Sequence, residues 1–190
     1  LQQTCREMLA HQNMPRAVSH LCNEMAAAVS ILTHMVKFEG QMIIQLKGEG
    51  PINMLVAECS SNGILRATSQ WTDVDDTMTF RELVGKGILA ITIDPLKGER
   101  YQGIIRLDQD TLSDCLNIYF KNSEQLNTKI WLSADDETAG GLLIQKIAPN
   151  DKGQSIDQSG WTTADALAST LTVDELISTA GPLLAYRLFP

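Results

Sequence analysis

The sequence contains no C-x-C or C-x-x-C pair. Its four cysteines, Cys5, Cys22, Cys59 and Cys115, stand singly, which speaks against a zinc site built from neighbouring ligands. Cys22 and Cys115 fall on apolar helical stripes, where a free cysteine acts as a small hydrophobe. All four read as reduced structural thiols, and so point to a reducing, cytoplasmic setting. Aromatic residues make up only 5% of the chain, so the core must come mainly from Leu, Ile, Val, Met and Ala. Positive charge is in deficit, with 15 Lys and Arg against 23 Asp and Glu and a net charge of −8. Nucleic-acid binding needs the opposite balance. No apolar run approaches the ~20 residues that span a bilayer. Leu1 is not an initiating methionine, so the chain reads as trimmed and the lack of a visible leader says little.

Catalytic signatures are missing too. There is no G-x-S-x-G elbow and no H-E-x-x-H pair. His11, His20 and His34 all belong to N-terminal helices, and the latter two read as solvent-facing. Gly48-Glu49-Gly50 and Gly85-Lys86-Gly87 lack a third glycine and lead into strands, whereas a phosphate loop leads into a helix N-terminus. Both read as turns. Asp135-Asp136-Glu137 has too few carboxylates nearby for a cation site and reads as a solvated hairpin tip. Cys115 points into a core stripe and is no nucleophile. The chain is not expected to be an enzyme, and no cofactor or metal is expected in it.

The periodicity is informative. After the break at Asn13-Met14-Pro15 a long helix reads up to Phe38-Glu39-Gly40, with Val18, Leu21, Cys22, Met25, Val29, Leu32, Met35 and Val36 on one stripe. Strands follow at 42–47, 52–59 and 64–69, separated by tight turns, as in an antiparallel meander. Segment 71–79 reads as an acidic loop, 80–84 as a helical turn and 87–93 as a strand. From 98 to 141 the order is strand, helix, strand, strand. Tyr101, Gly103, Ile105 and Leu107 alternate with Arg100, Gln102, Ile104 and Arg106. Thr111 with Asp114 then starts a helix carrying Leu112, Cys115, Leu116, Tyr119 and Phe120, and Ile130 and Leu132 restore the alternation. Segment 149–160 reads as a linker. Helix starts are expected at Thr162 and Thr172, and Gly181-Pro182 opens a last short helix. The periodicity therefore gives an α+β chain whose strands are mainly antiparallel.

Several pieces of the chain, in this order and spacing, resemble the heat-shock protein 33 family. They are Gly48-Glu49-Gly50-Pro51, Leu83-Val84-Gly85 with Gly87, Ile91-Thr92-Ile93, Gly98-Glu99-Arg100-Tyr101-Gln102-Gly103, Asp110-Thr111-Leu112, Tyr119-Phe120, Ser123-Glu124-Gln125-Leu126, Ala139-Gly140-Gly141 and Tyr186-Arg187-Leu188-Phe189. The resemblance implies an α+β fold of mixed, mainly antiparallel stacked sheets covered by helices, and a redox-regulated, ATP-independent holdase that binds unfolding client proteins in the cytoplasm; members often dimerise, sometimes by exchange of C-terminal helices. It also implies a following domain in which cysteines in C-x-C and C-x-x-C pairs bind zinc. This sequence contains none of those motifs, and its own cysteines do not match them. The implied organisation is a chaperone core at 1–150, a linker at 151–161 and a helical segment at 162–190 that packs on the core or on a partner subunit.

A holdase needs apolar surface. Met42, Ile44 and Leu46 lie on one side of the first strand and Ile43 on the other. Met54, Leu55 and Val56 make the next strand apolar on both sides. These seven are the candidate client-binding residues, unless both faces belong to an ordinary stacked-sheet core. A small cytoplasmic enzyme of unknown chemistry and a dimerisation module are the alternative functions.

Overall fold

The structure is a computed structural model that describes residues 1–9, 13–123, 127–146 and 158–189. Helices α1 (Gln2–Leu9) and α2 (Arg16–Met35) come first. Strands β1 (Gly40–Gly48), β2 (Ile52–Ser60) and β3 (Leu65–Trp71) follow, then the short helix α3 (Phe80–Val84), β4 (Gly87–Pro95) and β5 (Tyr101–Arg106). Helix α4 (Leu112–Ser123) precedes the hairpin β6 (Thr128–Ala134) and β7 (Ala139–Gln145), and α5 (Gln158–Ala168), α6 (Val173–Ser178) and α7 (Gly181–Leu188) close the chain. The first C-terminal helix thus starts at Gln158, within the segment read as linker and ahead of Thr162. Thr172 is the N-cap of α6 as expected, completing a capping box with Glu175. Residues 124–126 and 147–157, which include part of the Ser123–Leu126 motif and most of the segment read as linker, lie outside the described residues, as does His11.

Two antiparallel sheets stack through helices. The larger has strand order β3-β2-β1-β4-β5, and the smaller is the β6–β7 hairpin. The meander β1-β2-β3 is as read from sequence; β4 then returns to the far side of β1. Helix α2 packs against β1, β2 and β3 on one side and against β6 and β7 on the other. Its apolar stripe explains this: Val18, Cys22, Met25 and Val29 are wholly buried, each such side chain stabilising by about 1.5–3 kcal/mol. Ala26, Ala27 and Ala28 are buried as well; they favour the helix and take little room between two sheets.

Local chemistry fixes the joints. No side chain of its own caps α2, whose N-cap is Pro15. Instead Asp76, in the acidic loop after β3, accepts the Ala17 N–H at 3.0 Å, placing a carboxylate at the positive end of the helix. Val74 and Met78 of the same loop pack on the core. The hairpin tip is more than a solvated turn. Asp136 accepts from His20 Nε2 at 2.8 Å and from Arg16 Nε at 3.2 Å, Glu137 pairs with Arg6, and the Asp135 carbonyl accepts from the Asn23 amide at 2.9 Å. His20 is therefore committed to the hairpin, a long-range pairing that the helical wheel alone could not show.

Candidate functional site

Alternation divides the large sheet into two unlike faces. Met42, Ile44, Leu46 and Leu55 are at most 1% exposed and form the core with α2. Ile43, Met54 and Val56 point the other way and are half-buried. The seven candidate residues are thus split, four to the core and three to the opposite face.

Strand register identifies what surrounds those three. Gln45 pairs with Val56 on one side and Ala90 on the other, Lys47 with Met54 and Ile88, and Ala90 with Ile104. The face therefore carries an apolar set running from β2 to β5, made of Met54, Val56, Ile43, Ala90, Ile88 and Ile104. Ile88 is 40% and Ile104 60% exposed. Gln45, Lys47 and Thr92 are interleaved with them, and the rim is ionic, with Arg66 on Glu58 at 2.7 Å and Arg100 on Asp94 at 3.0 Å. Among the described residues, the helices with extensive sheet contacts pack on the opposite, core side. An apolar centre with a polar rim is the composition of a protein-docking surface. Sequence reading missed Ile88, Ala90 and Ile104 because their apolar character is diluted along each strand; only register gathers them.

The remaining chemistry is structural. All four cysteines are buried. Burial pushes their thiols up, Cys22 to about 12, and Cys5, Cys59 and Cys115 in the same direction. The thiolate is the reactive form, so these groups are poorly suited to respond to mild oxidants. Among the described residues no group of three His, Cys, Asp or Glu side chains could hold a metal ion. A cavity of about 350 Å³ lies between α2, β7, α6 and α7, lined by Ala27, Ile31, Gly140, Ile177 and Leu184 among others. Its lining carries no titratable side chain. Among the described residues, no helix is long and apolar enough to cross a membrane.

One half-buried acid affects stability. Glu24 on α2 is half-buried, and desolvation pushes its carboxyl up to about 7 from 4.5. Below pH 4.5 it is protonated in both folded and unfolded chains, and contributes no pH dependence. Between pH 4.5 and 7 only the unfolded chain ionises, so stability falls as pH rises, and above pH 7 the loss is complete. At 1.36 kcal/mol per unit the loss is about 3 kcal/mol. Glu24→Gln is expected to remove most of this dependence and to raise stability at pH 8, measured by urea unfolding at pH 5 and pH 8. An unchanged pH profile would refute the assignment.

The fold and this surface define a class: an α+β domain of stacked antiparallel sheets with one amphiphilic sheet face that no described helix covers. The chain belongs to the Hsp33 family, whose description, "Hsp33 protein", matches residues 1–190. It is 40% identical over 193 residues to the 33 kDa chaperonin of Pseudomonas fluorescens strain SBW25, covering all of this chain and 64% of that protein. It is 38% identical over 194 residues to the 33 kDa chaperonin of Vibrio cholerae serotype O1, covering all of this chain and 65% of that one. The crystal structure of the 33 kDa chaperonin (heat shock protein 33 homolog) from Thermotoga maritima shares the fold, with a TM-score of 0.77 at 18% identity, over all of this chain and 67% of that one. The chain thus spans a little under two thirds of the length of these curated relatives.

Proposed function

We propose that this chain is the client-binding core of an ATP-independent, cytoplasmic holdase, and that the open face of the five-stranded sheet is where unfolding proteins dock. One observation carries the reading: Ile43, Met54, Val56, Ile88, Ala90 and Ile104 form a shared apolar field on a face that no described helix covers. Burying a client's apolar surface there yields roughly 25 cal/mol per Å². Met54 adds a flexible, polarizable side chain suited to varied clients. The interleaved Gln45, Lys47 and Thr92 keep the free face soluble. Met42, Ile44, Leu46 and Leu55 act indirectly, by holding the sheet on α2.

The division into core (1–150), linker (151–161) and C-terminal helical segment (162–190) belongs to the same reading. Val173, Leu183 and Tyr186 in that segment are 61–74% exposed, which favours a second copy covering them in a homodimer, by exchange of the helices or by simple apposition. Redox control and zinc belong to family motifs that this sequence does not contain, and the buried thiols here are not a substitute. The core should therefore hold clients equally after reductant or peroxide.

The test is suppression of light scattering by a thermally unfolding client, without nucleotide. The variant Ile43→Lys/Val56→Lys/Ile104→Lys is expected to lose most protection while keeping native circular dichroism, and Leu183→Lys to retain it. Full protection by the triple variant would overturn the assignment of the face. An absence of protection by the unmodified chain would overturn the holdase reading itself.

A further inference from the structure

The chain has three tyrosines, and two of them meet. Tyr101 opens β5 and Tyr119 lies on α4, yet their phenol oxygens are 2.9 Å apart. A glycine makes the meeting possible. A Cβ at Gly103 would sit 2.2 Å from the Tyr119 hydroxyl oxygen, so the Tyr119 ring crosses the strand where a side chain is lacking and reaches Tyr101 two residues away. Tyr101 is 52% exposed, so an oxidant in solution reaches one member of the pair directly. The sulfur nucleophiles that would otherwise compete are out of reach, since all four cysteines are buried. Tyr186, on α7, is 74% exposed and provides an internal comparison.

We propose that Tyr101 and Tyr119 form an oxidative modification site, at which one-electron oxidation couples the two rings into a dityrosine that staples β5 to α4. Each phenol loses one electron and its hydroxyl proton to give a tyrosyl radical. The two radicals join through the ring carbons adjacent to the phenol oxygens, and each of those carbons then gives up its hydrogen to the neighbouring oxygen, restoring both aromatic rings. The net change is loss of two electrons and two protons and gain of one carbon–carbon bond. The co-reactant is a haem peroxidase with hydrogen peroxide, which is reduced to two waters. The hydrogen bond matters because it fixes the two phenol oxygens 2.9 Å apart before any radical forms, so coupling within the chain precedes diffusion to a second chain.

The product joins two layers of the fold. Tyr101 belongs to the large sheet and Tyr119 to the helix that packs on the hairpin strand β6. The cross-link closes a short loop and restricts the unfolded chain much as a disulfide does. A rise in Tm on the order of 5 °C is expected for a chain of this size.

The test is brief treatment of dilute protein with a haem peroxidase and limiting hydrogen peroxide. The expected results are dityrosine fluorescence in the monomer fraction, loss of two hydrogens by mass, and a tryptic species joining segment 101–106 to segment 107–121. Tyr101→Phe and Tyr119→Phe should each abolish the intrachain product while keeping the fold, and Tyr186→Phe should leave it intact. The proposal is overturned if the intrachain product survives either of the first two substitutions. It is equally overturned if the unmodified protein yields only chain-to-chain dimers through Tyr186, or no dityrosine at all.

Discussion

Gly85→Val is expected to destabilise the protein by roughly 2–6 kcal/mol, about 1–3 from backbone strain and 1–3 from overpacking. Gly85 caps α3 at φ 60°, ψ −146°, a conformation open in practice only to glycine. A Cβ there would stand 2.8 Å from the Gly50 nitrogen. The site belongs to a seam where two chain segments touch through their backbones. The Gly50 N–H donates to the Val84 carbonyl at 3.0 Å and the Glu49 N–H to the Lys86 carbonyl at 2.8 Å. At Gly48 a Cβ would lie 2.3 Å from the Val84 oxygen, and at Gly87 2.5 Å from the Lys47 oxygen. Such a loss is a large share of the ~5–15 kcal/mol that holds a domain together. Urea unfolding would measure it, with Gly63→Ala as the comparison: Gly63 also has positive φ but has open space around it. Equal losses at both positions would show that strain alone, without the seam, accounts for the effect.

Asn117→Ala is expected to cost about 2–6 kcal/mol. Among the described residues the outer edge of β6 has no neighbouring strand, since the small sheet there contains only β6 and β7. Asn117 of α4 substitutes for one, its amide donating to the Ile130 carbonyl at 3.0 Å and its oxygen accepting the Ile130 N–H at 2.8 Å. Ser113, one turn earlier, accepts the Leu132 N–H at 3.0 Å. Ile130 is fully buried, so removing the amide leaves two peptide groups without partners or water, each at about 1–3 kcal/mol. It also uncovers a strand edge, the kind of surface through which sheets aggregate. Asn117→Asp keeps only the acceptor and should fall between the alanine variant and the unmodified protein. Alanine and unmodified proteins of equal stability in urea would contradict this role.

Much of the fold was legible in the chain because it rests on local periodicity. The alternation of 101–107, the stripe of α2 and the Thr111 and Thr172 helix starts each state their structure within a few residues. The glycine pairs at 48–50 and 85–87 were legible as turns but not as a seam, because their requirement is set by each other across the fold. The hairpin latch was invisible for the same reason: His20 and Asp136 are 116 residues apart in the chain. The candidate surface was half legible. Both faces of β1 and β2 read as apolar, yet only register separates Ile43, Met54 and Val56 from the buried Met42, Ile44, Leu46 and Leu55, and only register adds the contributions of β4 and β5. The start of α5 was misplaced because Thr162-Thr163-Ala164-Asp165 imitates a capping sequence, although the helix is already under way at Gln158.

Unfolding clients are proposed to sit on the sheet face that no described helix covers. Site-specific photo-cross-linking tests this most directly, with a photoreactive residue placed in turn at Val56 and Ile104 on that face, and at Ile118 on α4 and Tyr186 on α7 as exposed positions elsewhere. Each protein is mixed with a thermally unfolding client and irradiated. The account predicts strong client adducts at Val56 and Ile104 and weak ones at Ile118 and Tyr186. Adducts confined to Ile118 or Tyr186, with none at Val56 and Ile104, would contradict it.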